Sequence, residues 1–74
     1  MSDNNNDINN CVDMFDVVTI CVGDKAEVTL KGTRSTMSLR GVIVAVSNHA
    51  LSINSRGTIY AIRYSEIKMI RKLK

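Results

Sequence analysis

His49 is the only histidine in this chain, Glu27 and Glu66 are the only carboxylate side chains after Asp24, and Cys11 and Cys21 are the only thiols. These few groups bound the chemistry. General acid–base catalysis needs two tuned groups within hydrogen-bond reach of each other. Ser47, His49 and Glu66 can be written down as nucleophile, base and acid, but nothing in their local spacing brings them together. A non-enzyme is therefore expected. A structural zinc site takes about four ligands at set spacing, and one histidine with two cysteines that do not form a Cys-x-x-Cys pair cannot supply it. No metal and no cofactor is expected. A disulfide between Cys11 and Cys21 would close a short loop outside the region that reads as core, so free, reduced thiols are the expectation.

Binding chemistry is better served, because charge is unevenly spread. Asp3, Asp7, Asp13, Asp16 and Asp24 make residues 1–24 acidic, with no basic residue among them. All ten Lys and Arg follow, against Glu27 and Glu66, within a net charge of +3. An acidic tail precedes a basic domain, and a basic domain suits a polyanion such as nucleic acid. The Met-Ser-Asp-Asn-Asn-Asn-Asp start has no basic region followed by a long apolar core, so no signal peptide is read. The apolar run Val17 to Val22 is too short to span a bilayer. A cytoplasmic protein with no membrane partner is expected.

The elements that must position these groups follow from periodicity. At 74 residues there is room for one small domain, whose core alone gives marginal stability and calls for a staple such as self-association. Residues 1–10 are Asn/Asp-rich and are expected to be disordered. Val12, Phe15 and Thr19 fall on one helical face, which predicts a short helix over about 12–20. The β-branched Val17, Val18, Ile20 and Val22 pull the same segment toward a strand. Gly23-Asp24 marks a stop or turn.

From Lys25 the period is two. Ala26, Val28 and Leu30 alternate with Glu27 and Thr29 in a first strand. After a polar turn at 32–36, Met37–Ser47 forms the longest strand, with a bend or bulge expected at Gly41. Ser47-Asn48 turns into a third strand around Leu51 and Ile53. Ser55-Arg56-Gly57 makes a hairpin turn into Thr58–Arg63, and Tyr64-Ser65-Glu66 a tight turn into Ile67–Lys72. Five short strands at near-regular spacing predict a mainly β chain: a small, strongly bent, antiparallel five-stranded open barrel of SH3-like type.

The order of these pieces is similar to the Sm-like family, which includes eukaryotic and archaeal Sm and LSm proteins and bacterial Hfq. The first family motif resembles Gly23-Asp24-Lys25-Ala26-Glu27-Val28-Thr29-Leu30-Lys31 followed by Leu39-Arg40-Gly41-Val42-Ile43-Val44-Ala45-Val46-Ser47. The second resembles Ile62-Arg63-Tyr64-Ser65-Glu66-Ile67-Lys68-Met69-Ile70, with Tyr64 in place of a glycine. The likeness covers residues 23–73, and it makes 11–74 an Sm-like domain whose segment 11–22 stands where the family has a short helix. It departs from the family at Ser47, which replaces an Asp, and at Leu51, which replaces an Asn; those residues help hold uridine in typical members.

The resemblance implies a homo-oligomeric ring of five to seven copies, in which the fourth strand of one copy pairs with the fifth of the next. Ile59, Tyr60, Ala61, Ile62, Ile67, Met69 and Ile70 are the candidate ring interface. It also implies single-stranded RNA held at the pore. His49 and Arg63 are the candidate stacking and pocket residues, with Asn48, Ser47 and Tyr64 beside them. Without the Asp and Asn, a ring serving as a structural or protein-interaction scaffold is the competing expectation.

Overall fold

Residues 10–15, 18–32 and 37–74 are described by the computed structural model. The period-two alternation after Lys25 becomes five strands: β3 (Lys25–Leu30), β4 (Met37–Val46), β5 (Ala50–Ser55), β6 (Thr58–Arg63) and β7 (Ile67–Lys72). Two short strands, β1 (Cys11–Met14) and β2 (Val18–Cys21), precede them. A single 3₁₀ turn, Tyr64–Glu66, joins β6 to β7. The five-stranded sheet is antiparallel throughout, in the order β6-β5-β4-β3-β7, and it is not closed into a barrel. The polar turn expected at 32–36 falls largely outside the described residues, as does all of the N-terminal tail before Asn10.

The alternating apolar residues make one core. Ala26, Val28, Ile43, Leu51, Ile53 and Ile67 are buried almost completely, and Val46, Ile62 and Ile70 close behind them. Two strands break strict alternation, each for a visible reason. In β4 the pairing with β5 shifts register between Ile43 and Ala45, so the inward positions are Ile43 and Val46. Val42 and Val44 consequently stay on the surface, although the run reads as apolar on both faces. In β7 the pairing with β3 shifts beside Leu30, which makes Ile67 and Ile70 the inward pair. Such bulges add bend and twist to a sheet that must curl over a small core.

Gly41 does what a glycine at the break in pattern should. A Cβ there would lie 2.0 Å from the backbone oxygen of Asn54, so β4 lies directly against the end of the β5–β6 hairpin. That hairpin turns through Arg56 (φ 56°) and Gly57 (φ 87°). Positive φ at both central residues is the tight turn whose twist matches paired strands, and Asn54 Oδ1 accepts a bond from the Gly57 N–H at 3.0 Å. Glycine takes this conformation freely, but an arginine held there costs about 1 kcal/mol or more.

The N-terminal segment departs from its expected form. Among the described residues of 12–20 there is no helix; β1 and β2 pair as an antiparallel hairpin, with Val12 opposite Ile20 and Met14 opposite Val18. These four apolar side chains face the core, where Met14 and Ile20 are buried and Val12 and Val18 pack against them. The other face carries Asp13, whose carboxylate accepts a bond from Thr19 Oγ1 at 2.7 Å, and the two cysteines. The expectation of free thiols is overturned as well: Cys11 and Cys21 are joined by a disulfide. The Val22 N–H donates to the Asn10 carbonyl at 2.7 Å. This makes Cys11 and Cys21 a non-hydrogen-bonded pair, the closely spaced position of an antiparallel ladder, where side chains meet. The hairpin is tied to the main sheet by paired backbone bonds, Gly23 N–H to the Ile43 carbonyl and Ile43 N–H to the Asp24 carbonyl.

Candidate nucleic-acid interface

Two turns meet at one end of the β5–β6 ladder, and they carry all five candidate RNA-binding residues. Ala50 pairs with Arg63, so the Ser47-Asn48-His49 turn before β5 lies beside the Arg63–Tyr64 exit of β6. The Tyr64 N–H donates to the His49 carbonyl at 3.0 Å. The Tyr64 hydroxyl donates to the Ser47 carbonyl at 2.5 Å. Burial pushes the Tyr64 phenol above its ordinary value. His49, Arg63 and Asn48 are exposed, so their side chains present at this end a cationic group, an imidazole and an amide.

Ser47 is held by its own turn. Its Oγ donates to the Ala50 carbonyl at 3.0 Å and accepts from the N–H groups of His49 and Ala50 at 3.3 and 3.1 Å. A hydroxyl bonded in this way closes the turn through its own backbone neighbours. Leu51 is 1% exposed and belongs to the core.

The candidate interface residues divide by face. Ile62, Ile67 and Ile70 are core side chains with nothing exposed to offer a neighbour, whereas Ile59, Tyr60, Ala61 and Met69 are exposed. Ladder geometry fixes which edge groups of β6 are free. The residues flanking the two-residue turn, Ser55 and Thr58, exchange backbone bonds, and alternation then directs the N–H groups of Thr58, Tyr60 and Ile62 toward β5. The backbone groups of Ile59 and Ala61 point to the open edge.

Charged groups from three adjacent strands are organised around Glu27. Arg40 Nε lies 3.1 Å from one carboxylate oxygen of Glu27, and Arg71 Nε lies 2.6 Å from the other. Both guanidiniums hold the Glu27 carboxyl below its usual value, Arg71 contributing most. The signal lay in strand pairing: once β3 sits between β4 and β7, Glu27 is opposite Arg40 on one side and Arg71 on the other. Among the described residues no three His, Cys, Asp or Glu side chains gather as metal ligands, and no helix is long and apolar enough to cross a membrane.

Comparison with family models, with curated proteins and with solved structures finds no match to this chain.

Proposed function

We propose that this chain is an Sm-like barrel subunit that assembles with copies of itself into a ring and binds single-stranded RNA at the end where Ser47–His49 and Arg63–Tyr64 meet. The observation that carries the reading is the strand order β6-β5-β4-β3-β7. It leaves β6 and β7, the fourth and fifth strands of the main sheet, as its two open edges. Unpaired edges are a liability that proteins usually blunt with proline or charge. The chain has no proline, and β6 exposes Ile59. Pairing β6 of one copy with β7 of the next satisfies both edges, and repeated head-to-tail contact closes a ring when the rotation fits. In such a ring the His49 and Arg63 ends converge once per subunit, which multiplies their contacts to one strand.

Native mass spectrometry of the purified protein tests both halves together, since it reads subunit number and retained RNA. The expected result is a ring of five to seven copies that binds single-stranded RNA, with affinity falling steeply as salt rises. A monomer at micromolar concentration removes the ring. A ring without salt-sensitive RNA binding leaves the scaffold reading, which the engagement of the Ser47 hydroxyl by its own turn favours.

A further inference from the structure

The β5–β6 hairpin has a second end, five residues from the Ala50–Arg63 pair, or about 17 Å along the strand. Here β4 lies against the hairpin end at Gly41 and borders a depression of about 510 Å³ lined by Arg40, Arg56, Ser38, Thr58, Tyr60 and Glu27. That volume lies in the range of small-molecule sites. Two cations face it. Arg40 is fixed by Glu27 through Nε, and a guanidinium has five N–H donors, so most of its donors remain for another acceptor. The charge of Glu27 is offset by Arg71 on its other oxygen. Arg56 sits at the tip with φ 56°, where asparagine or glycine would be held with less strain. The strained arginine lies on the same depression as the fixed one. Beside them Tyr60 is 40% exposed, and Ser38 and Thr58 line the same depression, the Ser38 hydroxyl being shared with Thr29.

We infer that this depression binds a nucleotide unit, its phosphate between Arg40 and Arg56 and its base against Tyr60. Paired guanidiniums match phosphate oxygens in geometry and charge, and an aromatic face accepts any base by stacking. The unit is supplied either as a free mononucleotide or as part of a single strand. The site lies away from the His49–Arg63 end and does not depend on what that end binds.

The test is a titration of the intact, disulfide-bonded protein, followed by the backbone amide resonances. The probes are AMP, inorganic phosphate and a single-stranded adenylate hexamer. AMP is expected to shift the amides of Arg40, Arg56, Thr58 and Tyr60, with phosphate acting more weakly at the same places. Tighter binding of the hexamer at these amides identifies the strand as the source, and equal or weaker binding identifies the free nucleotide. Arg56→Asn is expected to weaken AMP roughly tenfold or more while raising the melting temperature by about 4–8 °C, because strain is relieved. A His49→Ala/Arg63→Ala variant is expected to keep the AMP response, and its behaviour toward RNA concerns the other end alone. No shift at these amides with any probe overturns the inference. So does unchanged affinity in Arg56→Asn, or lost affinity accompanied by a lower melting temperature, which would make Arg56 a structural residue.

Discussion

Tyr64 and Ser47 are seventeen residues apart in the chain, yet the Tyr64 hydroxyl donates to the Ser47 carbonyl across the two turns that frame the candidate interface. With the backbone bond from Tyr64 to His49, it makes the two turns one unit. Tyr64→Phe removes the hydroxyl and leaves the ring. The expected loss is about 1 kcal/mol by chemical denaturation, with weaker RNA binding through a looser His49 turn. A phenol raised by burial contributes stability that is complete below the ordinary tyrosine value of 10.0 and is lost as pH rises through the folded-state value. The wild type should therefore destabilise in that alkaline window more than Tyr64→Phe does.

Ala61 offers a way to test assembly without touching the core. Its backbone faces the open edge of β6, so Ala61→Pro removes an edge donor while the β5–β6 ladder stays intact. Light scattering should find a folded monomer, with an unchanged β-type circular dichroism spectrum. Rings of wild-type size would remove edge pairing as the assembly mode.

The Cys11–Cys21 disulfide closes a loop with a sequence separation of 10. By the loop-entropy relation it is worth about 2–3 kcal/mol. Cys11→Ser/Cys21→Ser, or reduction of the wild type, should lower stability by that order. The loss should appear first as faster amide exchange in β1 and β2, which the cross-link ties together. Equal stability of oxidised and reduced protein would contradict this.

Gly41→Ala places a methyl group against the Asn54 carbonyl, a backbone atom that cannot rotate away. Overpacking typically costs about 1–3 kcal/mol, and a clash with backbone puts this site at or above the upper end. Urea denaturation checks it.

Glu27 sets a pH dependence of opposite direction to that of Tyr64. Its folded-state value is lowered by Arg71 and Arg40 from an ordinary 4.5. Its contribution is therefore complete above that value and is lost as pH falls through the folded-state value. Melting curves between neutral pH and pH 3 should show Glu27→Gln losing less stability in the acidic range than the wild type. Because the arginine side chains are well exposed, the difference should shrink in high salt.

Much of the main sheet was legible in the sequence. Alternation placed β3 and β5, and turn residues placed β6 between the hairpin at Arg56-Gly57 and the one-turn link at Tyr64–Glu66. Alternation works because a strand buried on one face must repeat with period two. The N-terminal segment misled because Val12, Phe15 and Thr19 also fit a helical face. The pairs Val12/Met14 and Val18/Ile20 carry the strand pattern, but each run is only four residues long. What decided between them was the core, which takes Met14 and Ile20 from opposite strands of a hairpin, and the pairing that brings Cys11 opposite Cys21.

By itself, then, the sequence determined the main β pattern, its basic charge and the residues flanking each turn, because those depend on local periodicity and chain order. Only the tertiary structure decided which side chains meet. Register shifts in β4 and β7 set which apolar residues face inward. The position of β3 between β4 and β7 gathered Arg40 and Arg71 on Glu27. The close approach at Gly41 brought Arg40 to the depression at the hairpin tip that carries Arg56. Such meetings depend on contacts between residues distant in the chain, which local patterning does not encode.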